Sequence, residues 1–162
     1  MEKIQIIKQN GFNFLWVNND LWMWDTPMER ILQEKIASKA YGNVLVAGYG
    51  LGLIQKFLSN NKDVDNITTI EKFDGVIDAC KEHFGKIIGN VIIDNFYNVT
   101  TDQKYDCIIG DIWEDISEES LERYIKFKNK SQHLIVPGGK IFAWGQDFFE
   151  FLIDKNANLK SI

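Results

Sequence analysis

Val44-Leu45-Val46-Ala47-Gly48-Tyr49-Gly50-Leu51-Gly52 decides the fold. The first four residues are apolar on both faces of an extended chain, which suits a strand buried in a parallel sheet. Three glycines follow, and a helix pattern opens straight after them. Glycine permits a tight turn and a close approach of backbone to ligand. Strand, glycine turn and helix in that order put the bound group at the carboxyl end of the sheet, near a helix N-terminus. The spacing G-x-G-x-G differs from the dinucleotide fingerprint, because Leu53 stands where that pattern needs glycine. No Lys-Ser/Thr pair follows the turn, so a P-loop is excluded as well.

Downstream the pattern alternates. Apolar strands fall at residues 67–71, 91–94, 105–111 and 140–144. Helical segments fall at 51–59, 74–84, 117–130 and 148–153. This alternation predicts an α/β three-layer sandwich, with a mostly parallel sheet and helices on both faces. Glu71 ends the second strand about 20 residues after the glycines, where an acid can accept from both ribose hydroxyls. Lys72 follows it directly. Asp94 ends the third strand, with Asn95 beside it, and can reach the edge of a base. As an alternative, Asp94-Asn95 is simply a turn.

Upstream, residues 3–24 read as a β-meander. Ile4, Ile6, Phe12, Phe14 and Trp16 alternate with polar neighbours around Asn10-Gly11, the strongest short hairpin signal. Asn18-Asn19-Asp20 makes a second turn. Thr26-Pro27-Met28-Glu29 then reads as a capping box with proline in the first turn. It opens a helix over residues 27–40, with Met28, Ile31, Leu32, Ile36 and Ala40 on its buried face.

Composition bounds the function. The chain has 162 residues, 45% hydrophobic and 25% charged, with net charge -5. One domain accounts for it, with residues 1–25 as the meander and 26–162 as the core. The acidic balance disfavours a nucleic-acid partner. Cys80 and Cys107 lie in apolar contexts without a metal-spaced mate, as buried thiols of a reducing compartment do. No stretch reaches the roughly 18 apolar residues of a membrane span, and the N-terminus shows no leader pattern. The reading is a cytoplasmic protein with a small-molecule substrate. His83 and His133 lack a nucleophile-elbow context, so hydrolase chemistry has no support. Lys126, Lys128 and Lys130 read as a solvated helix end.

Together these residues resemble the class I S-adenosylmethionine-dependent methyltransferases, which have a Rossmann-like fold. The family's first motif matches residues 44–52. Its ribose acid matches Glu71 and its adenine-edge acid Asp94. Its fourth-strand motif matches Tyr105-Asp106-Cys107-Ile108-Ile109-Gly110-Asp111, and its turn before strand five Val136-Pro137-Gly138-Gly139-Lys140. The resemblance implies S-adenosyl-L-methionine as cofactor. It would be held by Gly48, Tyr49, Gly50, Gly52, Glu71, Lys72, Asp94, Asn95 and Asp111. Trp24-Asp25-Thr26-Pro27-Met28 is similar to a segment of guanidinoacetate methyltransferase and related small-molecule enzymes. There the acid of that segment and the acid ending strand four grip the substrate. That implies Asp25 and Asp111 as catalytic residues, acting at nitrogen of an amine or guanidine.

Trp24 and Trp113 flank these acids in the chain and suit a cationic substrate through their ring faces. Core packing is the competing reading for each tryptophan. The meander also resembles that of spermidine synthase. The loop aspartate of that family is missing here, and Phe73 stands where its strand-two motif has a second acid. A cofactor-binding protein without transfer activity is the third alternative. The family usually adds two strands after the fifth. Here the pattern is shortened, with at most a short strand near residues 158–162. The open sheet edge must then be covered by the meander or by a second copy, and a homo-oligomer is expected.

Overall fold

The computed structural model describes residues 2–113 and 115–160. A three-stranded antiparallel sheet comes first: β1 (Ile4–Gln9), β2 (Phe12–Val17) and β3 (Asp20–Trp24). Asn10 and Gly11 both take positive φ, 52° and 83°, as a type I′ hairpin requires. In the second turn Asn18 is left-handed (φ 57°), and its side chain accepts from the Lys3 amide.

The rest alternates: α1 (Pro27–Ala37), β4 (Gly42–Ala47), α2 (Leu53–Ser59), β5 (Val64–Glu71), α3 (Asp74–Phe84) and β6 (Asn90–Ile93). After a short turn at Phe96–Asn98 come β7 (Tyr105–Gly110), α4 (Leu121–Gln132), β8 (Ile135–Ala143) and α5 (Gln146–Lys160). The five later strands form one sheet in the order β6-β5-β4-β7-β8, with every neighbouring pair parallel. The expected α/β Rossmann-like sandwich is therefore observed.

Period-two alternation along β4 divides the core. Leu45 and Ala47 face one side, with Ile108, Tyr124, Phe127 and Phe149 from β7, α4 and α5. Val44 and Val46 face the other, with Ala37 of α1, Ala40 just after it, Ile54 and Leu58 of α2 and the strand residues beside them. The meander packs through Leu15, Ile4 and Met23 on Leu51 and Val76, at the glycine turn and α3.

Four expectations are corrected. The apolar stripe expected of α1 is buried only in part: Ala40 is buried and Ile36 packs against the core, but Met28 is 67% exposed, Ile31 60% and Leu32 38%. The buried face is Glu29, Gln33 and Ala37, because this side meets polar groups at the end of the sheet. The capping box does not form. Thr26 makes no side-chain cap, and the Glu29 carboxylate accepts from Gln33 instead. Residues 158–160 are helical, as the last turn of α5, so no strand begins there; residues 161–162 lie outside the described residues. The meander pairs only within itself, and nothing among the described residues pairs with the outer edge of β8. That edge is interrupted at residues 136–139, where Pro137 and left-handed Gly138 (φ 79°) break the register against β7. A missing donor and a bulge both blunt an edge strand.

Both cysteines are free and buried. Burial pushes the Cys80 thiol up to about 12, so it is inert as a nucleophile. Among the described residues, no helix is long and apolar enough to cross a membrane.

Gly110 sits under the ring of Phe127, which is fully buried, and a Cβ there would overlap the ring. Gly110→Ala is expected to cost about 1–3 kcal/mol through overpacking. Urea unfolding should show a lower midpoint with an unchanged slope.

Candidate functional site

Sheet register aligns the carboxyl ends of the strands. Ile93 pairs with Glu71, Ile70 with Ala47, Ala47 with Gly110, and Gly110 with Ala143. The residues that follow, Asp94, Lys72, Gly48, Asp111 and Trp144, therefore leave the sheet along one edge. From β4 the chain moves outward to β5 and β6, then returns to β7 on the other side. Such a reversal opens a crevice at the carboxyl edge, where ligands of open α/β sheets bind.

The glycine turn lies at this reversal. Gly48, Gly50 and Gly52 are all left-handed, with φ of 92°, 56° and 72°. Glu71, buried at the end of β5, holds the turn in place. Its Oε2 accepts from the Tyr49 amide at 2.8 Å and its Oε1 from the Phe73 amide at 3.0 Å. A carboxylate has about four lone-pair sites, so two such bonds leave it capacity for ligand hydroxyls. The Tyr49 side chain turns into the core against Ile77 and Cys80, and its hydroxyl accepts from the Ile88 amide at 3.1 Å. Tyr49 thus serves the turn through its backbone. Met23 of the meander fills the space beside Gly50.

Lys72 is exposed, with its ammonium 5.4 Å from the Phe73 ring centre. Asp94 and Asn95 are half-buried. Asp94 Oδ1 accepts from the Asn95 amide at 2.7 Å, and Asn95 Oδ1 accepts from the Tyr97 amide at 3.0 Å. These bonds make the turn that the sequence offered as an alternative, and they leave Asp94 Oδ2 without a partner among the described residues.

Asp111 follows β7. Its Oδ2 accepts from Gln33 Nε2 at 2.9 Å, and the same nitrogen donates to Glu29 Oε1 at 2.7 Å. One amide of α1 therefore joins two carboxylates. Burial pushes the Asp111 carboxyl up to about 6, against the Gln33 bond that lowers it; the nearby Glu29 charge raises it further. Burial also raises Glu29, opposed by its bond to Gln33. Sequence reasoning missed Glu29 and Gln33 as members of the site. The available signal was the i, i+4, i+8 spacing of Glu29, Gln33 and Ala37, which puts them on one helix face.

The structure joins Asp111 to Glu29 and occupies Asp25 elsewhere. Asp25 is 4% exposed. Its Oδ1 accepts from the Asn13 amide at 2.6 Å and its Oδ2 from Asn13 Nδ2 at 2.7 Å; Arg30 pairs with Oδ2 at 3.2 Å. Asn13 Oδ1 in turn lies 2.7 Å from His83 Nε2. This cluster clasps β2, α1 and α3 together. Trp24 is 37% exposed at the end of β3. Trp113 is corrected as a substrate residue. It is buried edge-on to Tyr124, Phe127 and Phe149, with its indole N–H donating to the Trp144 carbonyl. An indole so enclosed has no free face for a substrate.

No family model matches the chain. Among solved structures, the complex of DhpI with SAM and HEP superposes with a TM-score of 0.54 at 20% identity, covering 73% of this chain and 53% of that one. The CcbJ methyltransferase from Streptomyces caelestis gives 0.53 at 18% identity, covering 72% and 52%. This chain has the class I S-adenosylmethionine-dependent methyltransferase fold. A curated relative, the polyamine aminopropyltransferase of Buchnera aphidicola subsp. Schizaphis graminum, is 37% identical over 79 residues, 43% of this chain and 28% of that protein. The chain thus spans about half the length of the solved methyltransferases it matches, and less of the curated relative. At the switch between β4 and β7 the glycine turn lies beside Asp111 and is held from β5 by Glu71.

A carboxyl raised from 3.8 to about 6 on folding stabilises the protein below the lower value, and that stability is lost as pH rises through the upper one. Asp111→Asn is expected to raise the unfolding midpoint at pH 7.5 and to flatten the loss of stability between pH 4 and 6. Carbon-13 titration of the Asp111 carboxyl should centre near pH 6 and fall in Glu29→Gln, where the neighbouring charge is gone.

Proposed function

We propose that this protein is an S-adenosylmethionine-dependent methyltransferase acting on a small molecule, at nitrogen of an amine or guanidine. The observation that carries the reading is the convergence of the left-handed glycine turn, Glu71 and Asp111 on one crevice. The residues present fit the cofactor. The glycine turn lies next to Asp111 at Gly48, Glu71 retains capacity for the two ribose hydroxyls, and Asp94 with Asn95 would meet the base. Lys72 belongs to the same edge. When bound, the cofactor supplies an electrophilic methyl group on a sulfonium.

The remaining work belongs to the chain. Methyl transfer to nitrogen requires an unprotonated lone pair, so the protein must position the acceptor and take a proton. Asp111, with its carboxyl raised to about 6, is ionised at neutral pH and a stronger base than an ordinary aspartate. It would orient the acceptor nitrogen and accept its proton. The low-dielectric setting that raises its pKa also strengthens its hold on a cationic group.

A second reading is aminopropyl transfer. The partial match to a polyamine aminopropyltransferase and the N-terminal three-stranded sheet favour it. Against it, Gly48-Tyr49-Gly50-Leu51-Gly52 carries no aspartate, and position 73 is phenylalanine.

Calorimetric titration of S-adenosylmethionine, S-adenosylhomocysteine and NAD tests the cofactor. The two adenosyl ligands should bind and NAD should not. Glu71→Ala should weaken the adenosyl ligands by about tenfold or more, as loss of charge-assisted hydrogen bonds requires. Absence of adenosyl binding by the folded protein would overturn the reading. Turnover of putrescine with decarboxylated cofactor, and none with S-adenosylmethionine, would favour aminopropyl transfer.

A further inference from the structure

We propose that Glu29, Gln33 and Asp111 together form the receptor for a positively charged, N–H-bearing group of the substrate. Glu29 is a binding residue in it. Gln33 is the positioning residue that sets the two carboxylates side by side. The inference rests on the transfer reading for placing the reacting nitrogen at Asp111; the receptor itself is read from its open acceptors.

Charge is the first argument. Two carboxylates converge at the carboxyl edge of the sheet, Glu29 buried and Asp111 half-buried, and neither is paired with a cation among the described residues. Buried charge of one sign calls for a counter-charge. Only the neutral amide of Gln33 stands between them.

Gln33 gives the second, independent argument. Its side chain is fully buried, and it donates both N–H groups, one to each carboxylate. Its own Oε1 has no partner. Turning the amide over would aim that oxygen at two carboxylates, so the network itself sets its orientation. The second oxygens, Glu29 Oε2 and Asp111 Oδ1, also accept nothing from the described residues. The two carboxylates therefore offer acceptors only, with the donors of Gln33 already used, while Gln33 Oε1 faces away from them and is enclosed.

That inventory selects the ligand class. An anion is repelled, and a neutral acceptor finds no donor. A quaternary cation matches the charge but leaves the acceptors unbonded. A primary ammonium or a guanidinium matches both charge and hydrogen bonding. A metal ion is a poorer fit, because no group of three or more acidic, histidine or cysteine side chains gathers among the described residues.

The test titrates butylammonium, methylguanidinium and tetramethylammonium chlorides calorimetrically into the whole protein, alone and saturated with S-adenosylhomocysteine. At least one of the first two should bind and tetramethylammonium should not. Glu29→Gln should weaken the bound cation by about tenfold or more and leave S-adenosylhomocysteine affinity within about twofold. Gln33→Met should weaken the same cation and move the Asp111 carbon-13 titration upward, which a purely structural role would not do. If Gln33→Met fails to fold, Glu29→Gln decides alone. Cation binding unchanged in Glu29→Gln, equal binding of all three cations, or none by the wild type in either state would overturn the receptor. Glu29-dependent cation binding in a protein that ignores S-adenosylhomocysteine would leave the receptor standing and remove the transfer reading.

Discussion

A parallel sheet has to bury both of its faces, and the rest of this structure follows from that constraint. Strands that run the same way need crossovers, and here the crossovers are helices that cover the faces. The apolar residues of β4 then split between two cores, Leu45 and Ala47 to one and Val44 and Val46 to the other. Polar groups are pushed to the ends of the strands. Because all five strands point one way, Glu71, Asp94 and Asp111 gather at a single edge rather than being shared between two. The crevice is a consequence of topology before it is a matter of side chains.

Two carboxylates hold this edge in opposite ways. Glu71 is buried among donors: the Tyr49 and Phe73 amides neutralise part of its demand and lock the glycine turn onto β5. Asp111 is half-buried with one neutral donor and a second carboxylate nearby, and its carboxyl is raised to about 6. The first arrangement satisfies one lone pair on each carboxylate oxygen and fixes the backbone around it. The second leaves charge partly uncompensated, which costs stability in the empty protein and is recovered when a cation arrives. Strain of this kind is expected at sites that bind rather than at sites that only fold.

The N-terminal sheet is part of the same construction. Met23 lies against Gly50, and the clasp of Asp25, Asn13, Arg30 and His83 ties β2 to α1 and α3. The orientation of α1 then brings Glu29 and Gln33 to Asp111. Asp25 contributes through the placement of that helix. The turn of α1 also leaves Met28, Ile31 and Leu32 in water, against the usual rule for an amphipathic helix.

Local chemistry was legible in the amino-acid sequence. The Asn10-Gly11 hairpin, the apolar strand at 44–47, the glycine turn and the acids at the strand ends each depend on backbone preference or period, which neighbours in the chain determine. So did the fold, since strands apolar on both faces and separated by helices admit few arrangements. Tertiary structure alone decided which face of α1 is buried, that Trp113 belongs to the core, that Asp25 is spent on Asn13 and Arg30, and that Gln33 bridges Glu29 and Asp111. Those outcomes depend on contacts across long stretches of chain; Gln33 and Asp111 are 78 residues apart. Periodicity reports that a residue is apolar or polar, and here the sheet edge offered a polar partner that outweighed the burial of three apolar side chains. No local pattern carries that competition, because its two sides are compared only once the chain has folded.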